Sequence, residues 1–221
     1  EKNFLKKIYF LSECFKISFY QKKLQKSQMN FTITKKDQNY FQRFSKCTHI
    51  KAFHSNSKIT SKEGKGNYSL YHGNLSIAEN ENAAFFIINK IFKKTKHKLI
   101  IAGKNPSPGL KKLISKNKNV KLIKDPTEKE INNTIKNAHI NILYTNQNTG
   151  IKLKLVESLY RGRFCIVNKK MTEGSELENY CHLVSSKESW ISKIKKLENK
   201  FFDEKEISKR KNIEKLINNK K

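Results

Sequence analysis

The chain has 221 residues, 36% of them hydrophobic and 10% aromatic, and 47 Lys+Arg against 19 Asp+Glu give it a formal net charge of +28. That length fits one large domain or one domain with part of another, and the 14 Phe and 8 Tyr supply core material that disordered chains lack. All of the cations except Arg43, Arg161, Arg163 and Arg210 are lysine, spread along the chain. This argues against a specific nucleic-acid partner, because base edges and bidentate phosphates are read mainly by Arg. A general preference for anionic surfaces stays open.

No apolar run approaches the roughly 18 residues of a membrane span. The start, Glu1-Lys2-Asn3-Phe4, has neither Met nor a signal-peptide pattern and reads as the interior of a longer chain. Cys14, Cys47, Cys165 and Cys181 are scattered, with no CxxC pair and no Cys/His cluster. No metal, no cofactor and no disulfide framework is expected, and a reducing cytoplasm is the simplest setting.

Residues 4–26 predict a basic amphipathic helix, with Phe4, Ile8, Leu11, Phe15 and Phe19 at helical spacing among lysines. It either packs against protein, the favoured reading, or makes peripheral contact with anionic membrane. Met29–Ile33 predicts a short strand. Thr34 is placed to cap a helix from Lys35, with Asp37 at its third position, and His49–Phe53 reads as extended. Ser55–Gly66 is small, polar and charged, and is read as a linker after the end of a first domain at 1–54.

A regular alternation follows. Strands are expected at 68–72, 98–102, 120–123, 140–144 and 164–167, and helices at 79–92, 108–116, 127–137, 152–162 and 188–197. Short apolar strands alternating with helices predict an α/β domain over 67–186, a doubly wound parallel sheet of nucleotide-binding type. Residues 187–221 read as C-terminal helices, the last of them polar or frayed.

Ligands of such sheets bind beyond the carboxyl ends of the strands, which selects four loops. They are 72–76 with Gly73, 103–107 with Lys104, 124–127 with Asp125 and Pro126, and 145–150, which runs into the helix from Ile151. In the last, Asn148-Thr149-Gly150 places small residues at a helix N-terminus, where free N–H groups and the dipole favour phosphate. Lys154 stands in the first turn, unfavourable there unless an anion offsets it, and Glu157 follows three residues on. Backbone donors, a cation and a carboxylate on one face suit a diphosphate and a ribose diol. A plain Lys–Glu surface pair fits the spacing equally.

Thr149–Glu157 (TGIKLKLVE) followed by Gly162–Val167 (GRFCIV) resembles the donor-binding segment of GT-B glycosyltransferases of the group-1 type. Leu70–Leu75 resembles that family's first strand and glycine loop, Ile101–Lys104 and Asn137–Ile140 resemble later strand borders, and Thr32–Asp37 resembles the end of its N-terminal domain. The resemblance covers about 68–185. It implies the C-terminal Rossmann-like domain of a GT-B fold with a partial second α/β domain before it. It further implies transfer of a sugar from a nucleotide-diphosphate donor to an acceptor hydroxyl on a carbohydrate or lipid-linked acceptor, as in envelope polysaccharide or glycolipid synthesis, with retention and without metal.

By carry-over, Gly73, Gly150, Ile151 and Lys154 would hold the diphosphate, Glu157 the ribose, and Asp125 with Pro126 the base. The family's paired Glu is replaced by Thr149 at its first position, and Asn74 and Asn80 stand where the family has an Arg and a nearby Lys. Lys104 is the candidate for the missing cation. Two alternatives are a Lys-rich nucleic-acid-binding module and an inactive Rossmann-like interaction domain.

Overall fold

A computed structural model describes residues 4–50, 58–147 and 150–217. The expected features at Asn148 and Thr149, and residues 51–57 of the expected extended run and linker, lie outside the described residues. The chain divides into two compact units, Glu1–Ala52 and Phe53–Lys221.

The first unit holds helix α1 (Phe4–Gln21), strand β1 (Asn30–Thr32), helix α2 (Lys35–Phe41) and strand β2 (Cys47–His49), with β1 and β2 paired in parallel. Thr34 caps α2 as its sequence position implies: its hydroxyl oxygen accepts the Asp37 N–H at 3.0 Å and donates its own proton to Asp37 Oδ2 at 2.7 Å. The second described strand covers Cys47–His49, its ladder pairing Asn30 with Cys47 and Thr32 with His49, while most of the extended run expected at 49–53 lies outside the described residues. No residue of α1 is buried, and Phe4, Phe15 and Phe19 are 73%, 68% and 69% exposed. Its apolar residues, among them Leu5, Tyr9, Phe10, Ile17 and Tyr20, spread beyond a single stripe. No described helix is long and apolar enough to cross a membrane.

The second unit is built on a six-stranded, all-parallel sheet. Its elements in chain order are β3 (Ser69–His72), α3 (Ala78–Phe86), β4 (Leu99–Gly103), α4 (Pro108–Ser115), β5 (Val120–Lys124), α5 (Glu128–Asn137), β6 (Ile140–Leu143), α6 (Leu153–Arg161), β7 (Phe164–Asn168), α7 (Lys169–Thr172), β8 (His182–Val184), α8 (Lys187–Leu197) and α9 (Glu204–Ile217). The strand order is β5-β4-β3-β6-β7-β8. The order reverses between β3 and β6, so this doubly wound sheet has its topological switch point there.

The strands earn their positions by burial on both faces. β3 and β6 are buried at every residue. On one face Tyr71, Ile101, Ile140, Ile142, Phe164 and Ile166 pack under α3, α4 and α8, with Trp190 the largest side chain of that cluster. On the other face Leu143, Cys165 and Val167 pack under α6 and α9, and Leu70 and Ala102 under α5. The alternation of strands and helices is as expected from sequence. The helix expected to run to 92 instead ends as α3 at Phe86, passes through a π-helical turn at Ile87–Ile91 and closes with a 3-10 turn at Phe92–Lys94. The wider turn places Ile87, Ile88 and Ile91 together in the core.

Two segments differ from their sequence reading. Residues 58–66, linker-like in composition, are tied down: Thr60 N–H donates to the Tyr160 carbonyl at 2.7 Å, Ser61 Oγ to the Gly162 carbonyl at 2.6 Å, and Gly64 bridges to Phe202. The C-terminal helix α9 is docked rather than frayed. Arg210 and Ile213 are buried, and the Arg210 guanidinium donates to the carbonyls of Leu159, Gly162 and Arg163.

Candidate functional site

The switch point brings the loop after β3 and the loop after β6 to one edge. The β3 loop is fixed by its neighbour. Gly73 N–H donates to the Ala102 carbonyl at 3.1 Å and Leu75 N–H to the Lys104 carbonyl at 2.9 Å. A Cβ on Gly103 would collide with the Gly73 carbonyl oxygen, so only glycine lets the two loops lie this close. Asn74 turns the chain by accepting the Ser76 N–H and hydroxyl on Oδ1 at 3.1 and 2.8 Å.

The β6 loop is fixed by β7. Thr145 and Asn168 exchange hydrogen bonds, Thr145 N–H to Asn168 Oδ1 at 3.2 Å and Asn168 Nδ2 to the Thr145 carbonyl at 2.7 Å. Gly150 then adopts φ +66°, a left-handed conformation that suits glycine, and among the described residues nothing lies within 4 Å of where a Cβ would stand. The helix begins at Leu153, after Ile151 and Lys152, and Lys152 Nζ donates to the Gly150 carbonyl at 3.3 Å.

Lys154, in the first turn of α6, reaches across the switch point. Its ammonium donates to Asn80 Oδ1 at 2.8 Å and lies 5.4 Å from the centre of the Tyr71 ring. Asn80 ties that contact to β3, donating from Nδ2 to the Asn74 carbonyl at 3.0 Å and accepting the Tyr71 hydroxyl on its carbonyl at 2.8 Å. Burial lowers the Lys154 pKa to about 8; Glu79 opposes the shift and the neighbouring Lys152 adds to it. The burial of this cation carries a cost that a nearby negative charge offsets.

His72, at the end of β3, is buried beside this cation, its Nε2 sharing a hydrogen bond of 3.1 Å with Ser158 Oγ of α6. Burial, and then Lys154, lower its pKa to about 4, with Glu157 opposing, so His72 is neutral at physiological pH. Glu157 faces the same region and accepts Arg161 Nε at 2.7 Å. Lys154 and Glu157 therefore do not form the plain surface pair that their spacing allowed; each has its own partner.

The other sequence-derived candidates lie further along the edge. Lys104 joins the loop through its carbonyl, and its side chain is exposed at the end of β4. Asp125, at the end of β5, has φ +50° and accepts the Asn105 N–H at 2.7 Å, with Lys124 Nζ at 3.3 Å. That backbone donor, and then Lys124, hold its pKa below the usual carboxylate range. Asp125 thus braces the β4 and β5 loops against each other, and half-buried Pro126 follows it. Gly73, Gly150, Ile151, Lys154 and Glu157 gather at the switch point, whereas Lys104, Asp125 and Pro126 stand one and two strands away.

Sequence reasoning missed Glu79. In the first turn of α3, its Oε1 accepts the Thr145 hydroxyl and, at 3.3 Å, the Gln147 N–H, so it ties α3 to the β6 loop. Its position gave an ordinary explanation in advance, since acids suit helix N-termini. His139, by contrast, packs as its position suggests. It is buried, accepting the Gly66 N–H on Nδ1 at 3.1 Å, with Nε2 2.7 Å from the Leu197 carbonyl. Among the described residues, no group of three or more His, Cys, Asp or Glu could hold a metal ion.

No family model matches the sequence, and no curated protein matches it. Solved structures do. A point mutant of Staphylococcus aureus TarM in complex with fondaparinux, α-GlcNAc-glycerol and UDP superposes with a TM-score of 0.71 at 13% identity, over 92% of this chain and 43% of that one. The α,α-trehalose-6-phosphate synthase from Burkholderia multivorans gives 0.63 at 9% identity, over 89% and 57%. A glycosyltransferase from Rickettsia africae gives 0.61 at 11% identity, over 81% and 55%. These neighbours are GT-B glycosyltransferases, and the mixed α/β fold described above, with its six-stranded parallel sheet, is similar to their Rossmann-like domains. The chain spans about two fifths to three fifths of their length.

Proposed function

We propose that the second unit is the nucleotide-sugar-binding domain of a GT-B glycosyltransferase that moves a sugar from a nucleotide diphosphate to the hydroxyl of a carbohydrate or lipid-linked acceptor. The observation that carries this reading is Lys154, a half-buried first-turn lysine directed across the switch point onto Asn80. In the proposed complex the diphosphate lies between the β3 loop and the start of α6, against Lys154, the N–H groups of Gly150 and Ile151, and the backbone of Gly73. Glu157 binds the ribose, and the base lies toward Asp125 and Pro126, with Lys104 adding positive charge at the same edge.

Transfer then rests on stabilising the departing diphosphate by Lys154 and the helix N-terminus, donors already in place where negative charge develops. A retaining outcome, independence of metal and a cytoplasmic role in making envelope glycans extend the same reading. One solved neighbour is a complex with UDP and α-GlcNAc-glycerol, which is in keeping with it.

Titration of the full chain with UDP, GDP and their sugars, beside Lys154→Ala, tests the proposal. The variant should keep its fold by circular dichroism and bind about tenfold or more weakly, the loss of one charge-assisted hydrogen bond. Equal binding by both proteins removes Lys154 from the site. A second reading, a Rossmann-like domain that binds no donor, is favoured by one observation: the Glu79 carboxylate already occupies the Gln147 N–H and opposes the charge of Lys154. It predicts no nucleotide binding by either protein.

A further inference from the structure

Glu79 is an anion built into an anion site. Its carboxylate belongs to α3, yet it is bound by the loop that follows β6, where Oε1 takes the Thr145 hydroxyl and, at 3.3 Å, shares the Gln147 N–H with Thr145 Oγ1 at 3.1 Å. Thr145 is 2% exposed, so this contact lies inside the molecule rather than on a solvated rim. The same carboxylate acts on two further groups of the site. It offsets the penalty that burial imposes on Lys154, and it adds to the upward shift of the Tyr71 phenol, whose ring lies 5.4 Å from the Lys154 ammonium. A hydroxyl, a loop N–H and a half-buried cation are the partners that a phosphate oxygen would seek here. Glu79 engages the first two and acts on the charge of the third.

We propose that Glu79 sets the affinity of this site by acting as an internal anion that competes with a nucleotide diphosphate for Thr145, Gln147 and the charge of Lys154. The proposal rests on the nucleotide reading above and adds to it a regulator of the same site. A diphosphate entering the crevice meets a carboxylate already in possession, so binding requires that Glu79 release its loop partners or bear the repulsion. The site is therefore tuned toward weak, readily released nucleotide rather than tight retention.

Glu79→Gln separates this role from simple bracing. The amide keeps an oxygen that can accept the same two hydrogen bonds while the charge is gone, and Glu79→Lys reverses the charge. If Glu79 competes with the ligand, the UDP dissociation constant falls by about tenfold in Glu79→Gln, the scale of one like-charge repulsion across a partly buried site, and falls further in Glu79→Lys. The gain should shrink at high salt. Thr145→Val, which removes a donor and leaves the charge untouched, should weaken binding.

Calorimetric titration of the wild-type chain and the three variants with UDP, at low and high salt, decides the matter. Binding by Glu79→Gln tighter than wild type supports the proposal, including the case in which wild type binds too weakly to measure. Wild-type binding with equal or weaker binding by Glu79→Gln and Glu79→Lys overturns it and leaves the nucleotide reading standing, Glu79 then being a brace. Absence of binding by every protein, with circular dichroism showing each one folded, overturns both.

Discussion

At the scale of single residues, the site is a set of polar groups whose burial makes them depend on one another. Lys154 was legible in the sequence because a lysine in the first turn of a helix works against the helix dipole and asks for a reason. Glu79 was not legible, because an acid in the same position of another helix needs none. Its role depends on where the β6 loop passes, which no local pattern records.

His72 was visible only as a residue at a strand end. The structure makes it a buried neutral base against Ser158. Its pKa of about 4 in the fold, against 6.5 for an ordinary histidine, has a definite sign in stability. Between those values the unfolded chain takes up a proton that the folded chain resists, so stability falls as pH drops from 6.5 through 4 and is level above that window. The full effect is about 3 kcal/mol. Urea denaturation at pH 7 and pH 4.5 should show a smaller loss for His72→Gln, which removes the titration, than for wild type. An identical loss in both proteins would mean that His72 titrates normally.

At the scale of elements, strong apolar runs gave their strands and helices away, and weak ones did not. β6 is a run of four buried side chains and β7 a run of four followed by half-buried Asn168, and both follow the expected pattern. β8 is three residues long with a half-buried His182 and an exposed Leu183, too short and too polar to mark itself. It exists because β7 offers it an edge, with Ile166 paired to His182 and Asn168 to Val184.

The last segment reads from sequence as a polar helix or a frayed end for a related reason. Its composition is polar, and its anchor is a charged residue, Arg210, buried against carbonyls at the end of α6. Those carbonyls are the unsatisfied acceptors that a helix C-terminus leaves behind. Residues 59–66 converge on the same place, with Ser61 Oγ donating to the Gly162 carbonyl that Arg210 also serves. Arg210→Ala should therefore cost about 3 kcal/mol, since several buried acceptors lose a charged donor together. Chemical denaturation measures it, and a cost within experimental error would show that α9 does not depend on this clamp.

At the scale of the whole molecule, sequence periodicity was enough to expect a doubly wound parallel sheet, because strands buried on both faces must be covered by helices on both faces. The strand order was not readable from periodicity, and it places the reversal between β3 and β6, which brings the loops of Gly73 and Gly150 and the helix starts of Asn80 and Lys154 to one edge of the sheet. The net charge of +28 is carried by lysines along the whole sequence, while two of the four arginines, Arg163 and Arg210, are buried and bonded to backbone carbonyls. Neither arginine is available to read a nucleic acid. The charge is a property of the surface, and the proposed anion site lies at the switch point.

The most direct test of that distinction is one titration of the full chain with UDP and GDP, alone and in the presence of a single-stranded oligonucleotide, at two salt concentrations. Saturable nucleotide binding that the corresponding nucleotide sugars displace and the oligonucleotide does not is the predicted result. Oligonucleotide binding that falls steeply with salt, with no nucleotide binding at either concentration, would contradict the account.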